Sequence, residues 1–457
     1  MTDGFLPDTL HRLVKHAVDS GQASSFSEAQ KKLQSYAAHV AFDASFADDI
    51  GYQAAFLSLC SLCKRVFLGG VTVSGHLETP LKTMFGRGRS IGDVATDLGA
   101  EVGPPSDTAS LFVVGPRRPA TRGFSTRLIV KGWRGGVVPV DDDTQGSSTR
   151  PGSPLAGVLA ASLAVSNAYA YASGERPSAH REYTGLSLWS LDPRGDWLED
   201  DQTEPDLAYL PSDLWIVGLG HLGQAFLWSL GMLPYTNASD VCVGLQDTDQ
   251  VTPSTFSTSV LTPPDTEGIH KTRLVASWAE DIGFRTLVCE RLFDGSFKRQ
   301  PQEPAVALCG VDNREARRAL DTSGFDLVIE AGLGRGHQDF RRIRLHVFPQ
   351  KRAAAEIWAK KPMEQNSDKL PAYRMLVEKG VLDHCGMTML ADKAVGGPFV
   401  GAFAASLAIS ELIRRLHSGK AVHQIDADVI ALDCLTTALP NQGERTTMPA
   451  FALAGDL

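Results

Sequence analysis

Ten residues, 214–223 (LWIVGLGHLG), constrain this 457-residue chain more than any other stretch. An apolar run at 214–217 has the character of a buried parallel strand. It ends in Gly218-x-Gly220-x-x-Gly223 and passes into a helical stretch, AFLWSLGML. The glycines permit a tight turn and close approach of backbone N–H groups to phosphate oxygens, and the following helix turns its positive end toward the same anion. Alone, the pattern reads as a dinucleotide fingerprint. The residues downstream point away from that reading.

The next strand, DVCVGLQDTD, ends in Asp247 and Asp249. An acid about 20 residues beyond a glycine loop commonly accepts hydrogen bonds from a ribose. That is the functional reading of Asp247, with Asp249 beside it in the same cofactor pocket; a solvated turn acid is the bland alternative. Gly268-Ile-His270-Lys271 opens a helix running to about Phe284. A lysine in a first turn opposes the helix dipole unless an anion sits there. Lys271 is therefore a candidate for the triphosphate, or a plain surface lysine. A further strand, PAVALCG, ends in Val311-Asp312-Asn313. An Asp at the carboxyl end of a parallel strand, beside the glycine loop, is placed to hold Mg2+ through the phosphates. A dehydrogenase has no use for that ligand. Arg317 and Arg318, one turn later, can simply pair with local acids.

Composition narrows the class. With 43% hydrophobic and 21% charged residues the chain is ordinary globular material, long enough for roughly two to four domains. A net charge of −9 leaves no nucleic-acid footprint. The start, MTDGFLPDTLHRL, is polar, which argues against a secretory signal. Apolar stretches such as 399–409 are short and Ala-rich, so no membrane contact and a cytoplasmic protein are expected. Seven cysteines suit reduced thiols. The one CxxC, Cys60-x-x-Cys63, cannot by itself assemble a tetrathiolate zinc site and reads as two thiols in a buried helix.

Along the chain, residues 1–50 alternate at helical spacing and predict an N-terminal helical segment, with Ser25 or Ser27 capping its second helix. Residues 51–190 mix a helix around 54–64 with strands near 66–73, 110–114 and 127–130. The acidic, Pro-rich stretch 191–212 predicts a linker. From 213 to 350 strands and helices alternate as in a parallel doubly wound α/β sheet, within a domain reaching 440 and succeeded by a tail, 441–457. Residues 152–166 (GSPLAGVLAASLAVS) and 396–410 (GGPFVGAFAASLAIS) are identical at nine of fifteen ungapped positions, offset by 244. Coincidence between two Ala-rich packing helices is one reading. The other is two halves built on one plan, each closed by the same small-residue helix. The first half has no GxGxxG, and its counterpart strand is read as VFLGGVTVSG.

GLGHLG, then DTD, then GIHK, then DN with Arg317, then LVIEAGLGRG resembles, in order and spacing, the ubiquitin-activating-enzyme superfamily. That superfamily includes the ThiF–MoeB sulfur-carrier adenylyltransferases and the activators of ubiquitin-like proteins. The resemblance covers about residues 205–435. It implies a Rossmann-like adenylation domain binding ATP and Mg2+, preceded here by a degenerate related half, as in pseudo-dimeric activators. It also implies a reaction in which the C-terminal carboxylate of a ubiquitin-like protein attacks the α-phosphate, giving an acyl-adenylate and pyrophosphate. One departure matters. Where the family places an Asn and then an Arg-Gln pair on ATP, this chain has Thr255, Thr258 and Ser259. Threonine cannot replace a bidentate guanidinium. Either Arg117, Arg118 or Arg122 of the first half supplies the charge, or the site is weakened or dead.

Cys385, in LDHCGMTML, precedes the second small-residue helix. Autophagy-type activators carry their thioester cysteine before a comparable helix, and a thiol is the right nucleophile for an acyl-adenylate. His384 adjoins it; a buried inert cysteine is the alternative. Cys242, Cys289, Cys309 and Cys434 read as packing. Residues 350–395 would form the crossover and catalytic-cysteine segment clamping the partner's tail, or a solvated lysine-rich surface. The resemblance thus implies adenylation, thioester formation on Cys385 and transfer to a conjugating enzyme, in a bacterial antiphage conjugation system. A sulfur-carrier adenylyltransferase of cofactor biosynthesis would need no such cysteine. A lapsed scaffold would show no ATP–pyrophosphate exchange. A nicotinamide dehydrogenase would need neither ATP nor Mg2+.

Overall fold

The computed structural model describes residues 8–144, 150–199, 201–359, 371–378, 395–440 and 447–455. Two mixed sheets carry the fold, and their elements share one order. In the first half β1 (Ala38–Phe42) leads through α3 (Ile50–Val66) to β2 (Val71–Gly75). Then come α4 (Ile91–Asp97), β3 (Glu101–Val102), β4 (Ser110–Val114), β5 (Ser125–Lys131), β6 (Arg134–Pro139), α5 (Pro154–Ser173) and β7 (Thr184–Ser187). In the second half β9 (Asp213–Val217) leads through α6 (His221–Met232) to β10 (Cys242–Gln246). Next are α7 (Lys271–Asp281), β11 (Arg285–Cys289), β12 (Val306–Cys309), α8 (Arg314–Arg318), β13 (Leu327–Leu333), α9 (Gly336–Asp339) and β14 (Arg342–Phe348). After the short α10 (Ala354–Ile357) and α11 (Pro371–Glu378), the long α12 (Pro398–Leu416) precedes β15 (Gln424–Asp428) and β16 (Thr436–Ala438).

The spatial orders are β3-β2-β1-β4-β5-β6-β7 and β11-β10-β9-β12-β13-β14-β15-β16. In each sheet the first five strands are parallel and the rest antiparallel. The α/β, doubly wound, pseudo-dimeric class read from the sequence is the observed one. The small-residue repeat falls on the equivalent helices α5 and α12, which pack on each other between the sheets. One continuous buried apolar cluster runs through both halves, so they share a core rather than meet as separate bodies.

Three expectations are corrected. Among the described residues of the segment 1–50, α1 (Arg12–Asp19) and α2 (Phe26–Gln34), the latter capped by Ser25, are helical and Ala44–Phe46 is a 3-10 turn. Residues 38–42 form β1, an interior strand of the first sheet, because a fully buried run of five, apolar but for His39, suits a strand covered on both faces. The counterpart of the glycine-loop strand is therefore β1 with DASFADD after it, not VFLGGVTVSG. Residues 66–70 of that stretch end α3 and turn, and only 71–75 are strand. Among the described residues one helix, α5, is long and apolar enough to cross a membrane, but it is almost wholly buried inside the protein, as a core helix is.

The predicted linker is packed down. Buried Glu204 accepts from the Trp133 N–H and faces Arg134 at 3.3 Å, and Trp197 fills the space over Gly136 and Gly185. Beyond it, β8 (Tyr209–Pro211) pairs with β17 (Phe451–Leu453) near the end of the chain.

Candidate functional site

In a doubly wound sheet, ligands bind where the strand order reverses, outside the carboxyl ends of the strands. Here that point lies between β9 and β12. The β9 end turns through Gly218, whose φ of +82° is left-handed and suits only glycine. A Cβ on Gly223 would lie 1.9 Å from the Gly218 carbonyl oxygen, so this glycine lets α6 close on the loop. Gly220 has open space where a Cβ would stand, and α6 begins with no side-chain cap. Its first N–H groups are left for an anion.

The first half has the same crevice and fills it. Asp49 caps α3, its carboxylate accepting from the backbone N–H of Tyr52 at 3.1 Å and of Gly152 at 3.0 Å. Asp43 comes just after β1 and accepts from the hydroxyl and N–H of Ser45, which hold its carboxyl below the usual range and hence ionised. An ionised Asp43 and a buried Asp49, whose carboxyl burial pushes up, thus occupy the turn that stays open around Gly220 in the second half.

Around the open loop the sequence candidates gather unevenly. Asp247 accepts from the Leu219 N–H at 2.6 Å and the Asp249 N–H at 2.8 Å, and so ties β10 to the glycine loop. Lys271 begins α7 and pairs with Asp249 at 2.8 Å. Val311 packs against Gly218, which brings the exposed Asp312 next to the loop. Arg317 does pair with an acid: its Nε contacts Glu330 at 2.9 Å and donates to the Val311 carbonyl. Glu330 is buried on β13, and burial pushes its carboxyl up to about 7 against the pull of Arg317. Among the described residues no group of three or more His, Cys, Asp or Glu is gathered to hold a metal. Asp312 would have to share Mg2+ with phosphate oxygens.

Thr255, Thr258 and Ser259 lie in or beside the 3-10 turn Pro253–Ser257, where Thr255 closes a capping box with Thr252. A guanidinium from the first half does reach this turn, but from α1. Arg12 donates from Nη2 to Ser254 Oγ at 3.2 Å and from its backbone to Ser257 Oγ at 3.3 Å, while its buried Nη1 has no hydrogen-bond partner. Of the arginines expected there, Arg118 lies 3.9 Å from Asp43, in the first half's own crevice. Arg65 of α3 reaches the same loop, donating to the carbonyls of Ser259, Val260 and Thr262. Gln224 of α6 then joins Thr262 to the Leu219 carbonyl. Burial lowers the Arg65 pKa to about 9, so it stays charged at neutral pH.

Cys385 lies outside the described residues, but both ends of the stretch around it are at the site. At 359, Arg314 of α8 donates to the carbonyls of Trp358 and Ala359. At the other end His221, inside the glycine motif, accepts the Gly401 N–H of α12 at 3.1 Å. Between them Tyr373 of α11 donates to Asp19 of α1 at 2.6 Å. Among the other thiols Cys60, Cys63, Cys242 and Cys309 are buried as expected, and Cys289 is half-buried on the edge strand β11. Cys434 is exposed in a 3-10 turn, not packed, because the apolar run around it is not a strand. Arg12, Arg65, Asp49 and Tyr373 carry no local signal in the sequence; His221 stands within the glycine motif, which is the one signal that could have found it.

A family model described as the BilD C-terminal domain matches residues 210–419, and one described as the BilD N-terminal domain matches residues 37–188. The Bacterial E1-like protein BilD of Collimonas sp. (strain OK412) is 40% identical over 430 residues, which are 93% of this chain and 92% of that protein. Among solved structures, E. coli MccB superposes with a TM-score of 0.35 at 13% identity, over 51% of this chain and 63% of MccB, less than two thirds of its length. PaaA superposes with a TM-score of 0.33 at 12% identity, over 50% of this chain and 64% of its own. With both halves matched by their family models and a relative aligned along nearly the whole length, the chain belongs to the BilD family.

Proposed function

We propose that this chain activates the C-terminal carboxylate of a ubiquitin-like protein with ATP, then captures the acyl group as a thioester on Cys385 for delivery to a conjugating enzyme. The observation that carries the reading is the asymmetry of the two crevices. The first is stoppered by Asp49 and Asp43, whereas the second keeps an uncapped helix end behind Gly220. The name of the Collimonas relative, E1-like, supports the same class.

In this reading Gly218 makes the turn, its own N–H spent on the Gln246 carbonyl. Gly220 and Gly223 let the first N–H groups of α6 face phosphates, Asp247 takes the ribose, and Lys271 leaves Asp249 for the polyphosphate. Arg12 turns its free Nη1 to the same charge, offsetting the Thr255, Thr258 and Ser259 replacements. Mg2+, held through Asp312 and phosphate oxygens, would neutralise charge on the leaving pyrophosphate. The substrate carboxylate oxygen attacks the α-phosphorus and the bond to pyrophosphate breaks. The Cys385 thiolate then attacks the acyl carbon and AMP leaves with the carboxylate oxygen. The setting is a bacterial antiphage conjugation system in the cytoplasm.

Purified chain, ATP, Mg2+ and the cognate ubiquitin-like protein test this. Pyrophosphate exchange and a thiol-labile adduct are expected, and Cys385→Ala should abolish the adduct while exchange persists. A wild-type chain that produces neither sinks the reading.

A further inference from the structure

The two small-residue helices meet their halves differently. Gly157 of α5 and Gly401 of α12 occupy the same repeat position. In the first half Gly157 rests directly on backbone: a Cβ there would stand 2.1 Å from the Gly51 carbonyl oxygen of α3. In the second half Gly401 rests on a side chain. A Cβ there would meet His221 Cδ2 and Nε2, each at 2.5 Å, with the His221 carbonyl farther off at 3.3 Å. The half with the open nucleotide loop thus inserts an imidazole where the stoppered half closes glycine on glycine.

The imidazole is bonded as well as packed. α12 starts at Pro398 and has no side-chain cap, so its early N–H groups lack helical acceptors. His221 Nε2 takes one of them, from Gly401. Nε2 as acceptor requires a neutral ring, and burial lowers this pKa to about 4, which keeps it so. The ring also lies against Gly396, whose Cβ position would be 3.6 Å from His221 Nδ1 and 3.5 Å from Thr258 Cγ2. The start of α12 is therefore held between two pieces of the nucleotide pocket. His221 itself is the first residue of α6, adjoining Gly220 where a phosphate would bind.

We propose that His221 is a positioning residue that couples occupancy of the glycine loop to the placement of α12, and through it to acyl transfer. This rests on the proposed adenylation, but the coupling itself needs only nucleotide binding. A phosphate drawn onto the loop shifts the backbone of residues 220–221, the ring moves with it, and the Gly401 N–H moves in turn. In the first half no side chain intervenes at the equivalent contact.

The experiment compares wild type, His221→Ala, His221→Gln and Gly401→Ala. In H221A, acyl transfer to Cys385 should fall about ten- to hundredfold, the scale of one lost buried acceptor, and should fall clearly further than pyrophosphate exchange. H221Q, whose amide oxygen can accept the same N–H, should restore most of the transfer. G401A pushes a methyl into the ring and should show the same selective loss, relieved when combined with H221A. Hydrogen exchange at the Gly401 amide should respond to ATP and Mg2+ in wild type and not in H221A.

Equal loss of exchange and transfer in H221A would assign the ring to nucleotide binding alone and overturn the coupling. So would transfer at the wild-type rate, or a wild-type Gly401 amide indifferent to nucleotide. If H221A does not fold, G401A and H221Q carry the same comparison. A wild type that makes no adenylate would sink the proposed function, while the amide response to nucleotide would still decide the coupling.

Discussion

The phenol of Tyr373 donates to Asp19 Oδ1 at 2.6 Å, while Lys15 holds the other carboxylate oxygen at 2.6 Å. Residues 354 apart thus share a buried ionic contact. It pins α11 to α1, the helix that also carries Arg12 to the turn Pro253–Ser257. One eight-residue helix of the first half therefore touches both working parts of the second.

Removing this contact from either side should have unequal costs. Tyr373→Phe loses one hydrogen bond to a buried charge, about 1.5–3 kcal/mol. Asp19→Ala removes both the Tyr373 hydrogen bond and the buried Lys15 ion pair, and a larger loss of about 3–5 kcal/mol is expected. Urea denaturation of both variants checks the order; an Asp19→Ala no weaker than Tyr373→Phe would contradict it.

Arg12→Ala should lower pyrophosphate exchange about ten- to hundredfold, the worth of a charge-assisted contact, and Arg12→Lys should recover only part. Thermal unfolding of the variant should move little by comparison. Full exchange in Arg12→Ala would return the question of the missing cation to Lys271.

Asp312→Asn should raise the Mg2+ concentration needed for half-maximal exchange without changing the apparent affinity for the ubiquitin-like protein. No group of three or more His, Cys, Asp or Glu gathers among the described residues, so one substitution should remove a large part of the protein's share of the site. A Mg2+ titration that overlays wild type would dismiss it as a ligand.

Stability should climb with pH between about 4 and 6.5. His11, His16, His221 and His346 are each lowered from 6.5 to about 4, with burial the leading cause. The folded chain then binds fewer protons than the unfolded chain in that window, and acid favours unfolding. Glu330 acts oppositely. Raised to about 7, it keeps its proton in the folded state above 4.5, and its contribution is lost as pH rises through 7. Urea midpoints measured from pH 4.5 to 7.5 should rise and then level, and Glu330→Gln should steepen the rise. A midpoint that falls between pH 4.5 and 6.5 would refute the assignment.

The sequence alone determined the nucleotide half. The glycine turn, the strand ends before Asp247 and Asp312 and the helix start at Lys271 were legible as positions, because each depends on short-range periodicity and on backbone sterics within a few residues. The repeat at 152–166 and 396–410 likewise announced the duplicated plan, since both copies kept their small residues at one spacing. Only the tertiary structure decided which first-half strand matched the glycine strand. Asp43 and Asp49 look like any polar turn until the switch point of the sheet brings them into the phosphate seat. The same holds for Arg12, Tyr373 and the seat of His221 on Gly401. Their partners lie between 180 and 354 residues away, and no local pattern encodes which distant groups a buried charge or ring will meet once two halves fold around one core.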